Sequence, residues 1–156
     1  GSEMCIRDSI ETIHAATDLL AEAKLSPELR NEALYYRAKA YAKQKADKKA
    51  LEDYRELAKD TRNSYGAEAK YQVAQSLYDA KEYAAAEKEL LNYIEQSTPH
   101  AYWLARSFVL LSDVYHATGK DLDARQYLLS LQQNYQGNDD IQSMIESRLH
   151  KLKVEN

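Results

Sequence analysis

The 156-residue chain has few of the residues that interrupt helices, with only four Gly and two Pro. Inside a helix a Gly costs about 1 kcal/mol and a Pro about 3 kcal/mol relative to Ala. A chain this sparing of both, and rich in Ala, Leu, Glu and Lys, is expected to be all-α. There is one cysteine, Cys5, which excludes an internal disulfide. No apolar run approaches the roughly 20 residues of a membrane-spanning helix. A concentrated basic field is also lacking: the net charge is −4, with both signs mixed along the chain. That composition speaks against a general nucleic-acid binder and against a membrane-surface binder, both of which need such a field. The common catalytic signatures are missing as well: no Gly-rich phosphate loop, no HExxH and no Gly-x-Ser-x-Gly occurs. No His, Cys or acidic residues stand at metal-ligand spacing. Neither catalysis nor a cofactor is expected.

Residues 1–8 stand apart. Gly1-Ser2 looks like a protease-cleavage scar, and Glu3 to Ser9 fits no later pattern. This stretch resembles an adapter-derived fragment translated at the end of a metagenomic read, so it is expected to be non-native. The natural start of the gene, and any signal peptide with it, would then be missing.

What the chain does contain is an internal repeat. The segments 34–57, 70–93 and 108–131 superpose with offsets of 36 and then 38 residues. Small residues coincide at Ala38, Ala74 and Ser112, and large ones three later at Tyr41, Leu77 and Tyr115. Twelve residues after each small residue comes an Ala, at Ala50, Ala86 and Ala124. Tyr54, Leu90 and Leu128 come next, then Leu57, Tyr93 and Leu131. Small side chains let two helix axes approach to the usual 8–10 Å, and the bulky neighbours fill the space beside them. The pattern is a packing code for pairs of helices.

In this spacing the chain resembles the tetratricopeptide repeat family, over roughly residues 9–153. Its units are slightly long, Leu34, Lys70 and Phe108 stand where the family usually has Trp, and the closing Pro is absent or displaced, as at Pro99. Spacing and tyrosine content look most like the long-repeat proteins of Gram-negative envelopes, such as outer-membrane assembly lipoproteins and Tol–Pal-associated proteins. The full-length protein would then be periplasmic or associated with the outer membrane. The resemblance implies a right-handed α-solenoid of antiparallel helix pairs, A and B, of about eight helices. We expect a single domain over 9–153: a lone B helix at 9–24, repeats at 27–61, 65–97 and 99–135, and a C-terminal capping helix at 139–153. The individual helices are expected at about 27–44, 47–61, 65–80, 83–97, 99–117 and 121–135 between the first and the last. Ser26-Pro27 and Thr98-Pro99 read as N-caps with Pro next to them, Asp47 and Asp121 as further N-caps, and Gly119 as a helix C-terminus. Ile141, Ile145, Leu149 and Leu152 form one apolar stripe on the last helix.

Function is expected on the concave face, which this family lines with fixed positions of helix A. Carried onto this chain, the first unit offers Glu32, Tyr35, Lys39, Ala42 and Lys43. The second offers Glu68, Tyr71, Gln75, Tyr78 and Asp79, and the third Arg106, Val109, Asp113, His116 and Ala117. Tyr35, Tyr71 and Tyr78 would form an aromatic stripe, and tyrosine gives large contact area with a polar tip. Packing against the next unit is the competing role for Tyr35 and Tyr71. The Lys/Asn/Arg carboxylate clamp of one sub-class is not present. Asp113 and His116, three apart on one helix, could be half of an acid–base pair but read more simply as a solvated surface pair. Glu87, Glu89 and Glu95 read as solvent-face residues, and Tyr102 and Trp103 as packing between units. The expected function is a non-catalytic module binding a peptide or partner protein. The alternative is a structural segment of a longer array with its binding sites elsewhere. The helix at 9–24 is apolar over more than one stripe, which predicts a dimer through this end or fraying of the helix.

Overall fold

The computed structural model describes residues 2–96 and 98–155, with the backbone alone for Ser2, Val154 and Glu155. Gly1, the first residue of the expected scar, and Ser97, the expected end of the fifth helix, lie outside the described residues. Among the described residues there are eight α-helices and no strand: α1 Ser2–Leu20, α2 Pro27–Lys43, α3 Asp47–Leu57, α4 Ser64–Asp79, α5 Tyr83–Glu95, α6 Ala101–Ala117, α7 Asp121–Asn134 and α8 Ile141–Glu155. The chain divides into two compact units, Gly1–Val73 and Ala74–Asn156, with the boundary inside α4.

In the first unit α2 packs against both α1 and α3. Ala38 and Ala50, expected as the small contact residues, are 0% and 4% exposed, and Tyr54 and Leu57 are buried beside them. A polar clamp unforeseen from the sequence ties the three helices. The Arg37 guanidinium donates to both Asp53 carboxylate oxygens, at 2.8 and 2.7 Å, and a third N–H reaches the Thr17 hydroxyl at 3.2 Å. Asp53 is buried, so this fork also satisfies a carboxylate that would otherwise be costly to desolvate. α1 starts seven residues earlier than expected and ends four earlier. No Gly or Pro stands between residues 3–8 and the rest of α1, so nothing stops the helix there.

In the second unit α6 packs against α5, α7 and α8, and α7 packs against α8. Ala74, Ala86 and Ala124 are each 0% exposed and Ser112 is 2% exposed, as the packing code requires. Buried Ser112 returns its hydroxyl proton to the Val109 carbonyl at 2.6 Å, so the small polar side chain leaves no unpaired donor. On α8, Ile141, Ile145 and Leu152 are buried and Leu149 is half-buried, which confirms the apolar stripe.

The repeat is also written in the backbone. Each A helix ends in the same reversal: Ala46 N–H donates to the Tyr41 carbonyl and Lys45 N–H to that of Ala42. Glu82 bonds to Leu77 and Lys81 to Tyr78 in the same way, as do Lys120 to Tyr115 and Gly119 to His116. These are Schellman turns. The residue that must turn left-handed is Lys45 (φ 58°), Lys81 (φ 62°) and Gly119 (φ 78°). Because the next residue already starts the following helix, the N-cap positions fall on Ala46, Glu82 and Lys120, none with a side-chain cap bond. Asp47 and Asp121 are therefore not the N-caps that the sequence suggested, but first-turn acids that suit the helix dipole. Ser26 does cap α2, accepting from Leu29 N–H at 3.3 Å with Pro27 behind it. Thr98 does not cap α6: that helix begins at Ala101, and the Thr98 hydroxyl instead donates to the Tyr93 hydroxyl at 3.2 Å.

Candidate functional site

The first unit holds Tyr35, Lys39, Lys43 and Tyr71 of the expected concave face. Tyr35 and Lys39 lie one turn apart on α2, and both reach Glu68 on α4. The Tyr35 hydroxyl donates to Glu68 Oε1 at 2.8 Å, and Lys39 Nζ lies 3.4 Å from Oε2. The Lys39 ammonium also stands 5.0 Å from the centre of the Tyr35 ring, and the Tyr65 ring packs tilted against Tyr35 at 4.6 Å. Burial, and then the Glu68 carboxylate against the opposing pull of Lys39, raises the Tyr35 hydroxyl pKa. Burial pulls the Lys39 ammonium down, but Tyr35 and Glu68 together hold it above its ordinary value. Nearby, Tyr54 is pushed up to about 12, by burial first and by Glu68 second. Lys43 is exposed on the last turn of α2. Tyr71 is 5% exposed. Its expected place on an accessible aromatic stripe is corrected: it is a core side chain, because its position on α4 is a packing position.

In the second unit Tyr78, Asp113 and His116 come together on the wall of one open recess of ≈ 270 Å³. Leu128 of α7 and Leu152 of α8 are its buried apolar lining, and Ser112, Ser147, Arg148 and Lys151 complete it. Asp113 and His116 each have a different partner from the pair expected. Arg148 clasps Asp113 with two bonds of 2.9 and 3.1 Å, and His116 Nδ1 lies 2.9 Å from Asp121 Oδ1. Tyr78 is half-buried, edge-on to Tyr83 at 5.6 Å. Burial and then the nearby Asp113 raise its pKa, so it enters the recess as a neutral hydroxyl. Gln75 Nε2 donates to Asp79 Oδ1 at 2.9 Å. Arg106 is held elsewhere: it donates to the Tyr102 hydroxyl at 2.9 Å and lies over the Tyr102 and Trp103 rings. Tyr102 in turn donates to Asp140 at 2.9 Å, ahead of α8.

Arg148 and Lys151 were not foreseen. The carried-over positions lie on A helices alone, whereas these two sit three apart on α8 and flank its apolar stripe. A cation pair at i and i+3 along the edge of that stripe was the available signal. Glu87 is half-buried rather than solvated, and its carboxylate holds the hydroxyl of buried Tyr115.

A recess this small falls just below the ~300–1,000 Å³ of pockets that hold whole small-molecule ligands. It suits an inserted side chain. Among the described residues no group of three or more His, Cys, Asp or Glu is placed to hold a metal ion, and no helix is long and apolar enough to cross a membrane. No family model matches the chain, and no curated protein or solved structure matches it either.

Proposed function

We propose that the chain is a non-catalytic interaction module, a right-handed solenoid of tetratricopeptide-like helix pairs that binds a peptide or partner protein on its A-helix face. The observation that carries this reading is the recess of the second unit. It places Tyr78, Asp113 and His116 around an apolar lining and adds Arg148 and Lys151. An extended peptide would lay one side chain with an apolar stem into it, over Leu128 and Leu152. Lys151 on the rim would favour an acidic neighbour in that peptide. The partner is a protein rather than nucleic acid or a lipid bilayer, in keeping with the mixed charge of −4. The resemblance to envelope repeat proteins would set this partner in a bacterial periplasm. Exposed Met4, Ile6 and Ile10 of α1 would also suit a dimer through that end.

One observation favours a second reading, a structural segment of a longer array. Charges at the expected binding positions are already paired, Asp113 with Arg148 and Lys39 with Glu68. A structural segment needs these pairs only to fix helices.

Selection from a displayed random-peptide library distinguishes the two. The binding module yields peptides whose affinity falls about tenfold or more with Tyr78→Ala, the loss of roughly 1.4 kcal/mol or more typical of an interface aromatic. A library that yields no binder, or only binders indifferent to Tyr78→Ala and Lys151→Ala, sets this reading aside.

A further inference from the structure

We infer that the trough between α1 and α2 is the seat for one amphipathic helix of a partner protein, a helix bearing a tyrosine and, four residues later, a lysine. The trough has a volume of ≈ 410 Å³ and lies in the first unit, away from the recess described above. Ala15, Ala16 and Leu19 of α1 and Leu29, Ala33 and Tyr36 of α2 line it, with Glu32 as its charged group. Leu29 and Tyr36, about two turns apart along one face of α2, are 46% and 48% exposed, which is high for large apolar side chains.

The same unit shows what covers such a trough. The repeat offset of 36 carries Leu29, Glu32, Ala33 and Tyr36 onto Tyr65, Glu68, Ala69 and Gln72 of α4. Those α4 positions are covered. Tyr35 packs on Tyr65 at 4.6 Å and bonds Glu68 at 2.8 Å, and Lys39 reaches the same carboxylate at 3.4 Å. Ala69 is 0% exposed and Glu68 8%. The covering helix, α2, also packs against α3, so it occupies the seat that α3 and α4 make. The pair α1 and α2 repeats that seat one unit earlier. It repeats the carboxylate too, since Glu32 stands where Glu68 stands. What a tyrosine hydroxyl and an ammonium at i and i+4 do for Glu68, the docking helix does for Glu32. Its small and apolar residues cover Ala33, Leu29 and Tyr36. The selectivity is electrostatic as well as apolar, because an acidic residue at the lysine position would face Glu32.

A labelled synthetic peptide copying residues 27–43 supplies the required face, with Tyr35 and Lys39 in register. Titrated with the protein and read by fluorescence anisotropy, it is expected to bind saturably. Glu32→Lys or Tyr36→Asp in the protein should weaken it at least tenfold without changing the far-ultraviolet circular dichroism. A peptide with Lys39→Glu should regain affinity for the Glu32→Lys protein. Three results overturn the inference: no saturation up to about 1 mM, the weakest affinity of interest here; binding that responds to Glu68→Lys instead of Glu32→Lys, which means the peptide has displaced α2 from its own seat; or a protein dimer that Tyr36→Asp dissolves while the peptide does not bind, which assigns the trough to a second copy.

Discussion

Gly66 offers the sharpest disagreement between helix propensity and packing. It is the third residue of α4, and an alanine in a helix is ordinarily better than glycine by about 1 kcal/mol. On propensity alone Gly66→Ala stabilises. The structure reverses the sign. A Cβ at this position would overlap the Asp60 carbonyl oxygen outright and stand 2.8 Å from the Leu57 carbonyl oxygen. Both obstacles are backbone, and the first is fixed: Asn63 Nδ2 donates to the Asp60 carbonyl at 3.0 Å while Asn63 Oδ1 caps α4 by accepting from Gly66 N–H at 2.8 Å. Moving the carbonyl aside breaks the same turn that supplies the cap. Overpacking costs about 1–3 kcal/mol, and loss of an N-cap adds about 1 kcal/mol. After the propensity gain, a net loss of about 1–3 kcal/mol remains, which lowers the melting temperature by about 2–12 °C in a chain of this size. Differential scanning calorimetry and urea titration monitored by circular dichroism read this directly. A Gly66→Ala protein that melts at or above the parent temperature refutes the close approach of the α3–α4 turn to α4.

Three further outcomes test packing, backbone conformation and burial in turn. Ala38→Leu and Ala86→Leu, both at 0% exposed positions, should each destabilise by roughly 1–3 kcal/mol or more through overpacking; melts within a degree of the parent for both would defeat the packing code. Lys45→Gly and Lys81→Gly should each stabilise by up to about 1 kcal/mol, because the left-handed conformation penalises a Cβ by roughly 1–2 kcal/mol and glycine returns part of that as unfolded-chain entropy; a fall in the urea midpoint for both would contradict the Schellman assignment. For Tyr54 the folded pKa of about 12 lies above the ordinary 10.0, so the folded state holds the proton more tightly. That stabilisation is complete below pH 10 and is lost as the pH rises through about 12, on the order of 2–3 kcal/mol in all. Tyr54→Phe should therefore show a shallower fall in stability between pH 10 and 12 than the parent, and parallel curves would show that burial does not hold the phenol neutral.

Much of the helical plan was legible because it is written in residue size. Ala38, Ala74, Ala86, Ala124 and Ser112 stand out in the sequence by being small at fixed intervals, and all are buried. Ser26-Pro27 was legible because a hydroxyl and a fixed φ act locally. Other features depend on a neighbour the sequence does not name. Lys45 and Lys81 look like ordinary surface lysines, and only Gly119 advertises the left-handed turn that all three make. Gly66 reads as a mild helix weakness until the Asp60 carbonyl is placed against it. Thr98-Pro99 has the letters of a cap, yet α6 starts two residues past Pro99. At the candidate site, the positions carried over from the resemblance to the repeat family included Tyr35, Lys39, Tyr78, Asp113 and His116. Their partners Glu68 and Arg148 lie 33 and 35 residues away. Tyr71 shares its pattern with Tyr35 but is buried, since exposure at that register depends on the helices around it.

The claim that the recess of the second unit receives a peptide side chain is tested most directly by chemical-shift mapping. A peptide selected on the protein is titrated into the isotopically labelled chain, and amide and side-chain resonances are tracked. The account predicts the largest shifts at Tyr78, Asp113, His116, Arg148 and Lys151, with Leu128 and Leu152 responding through their methyl groups. Shifts gathered instead on exposed Leu122 and Leu129 of α7, with those recess residues unmoved, would contradict it.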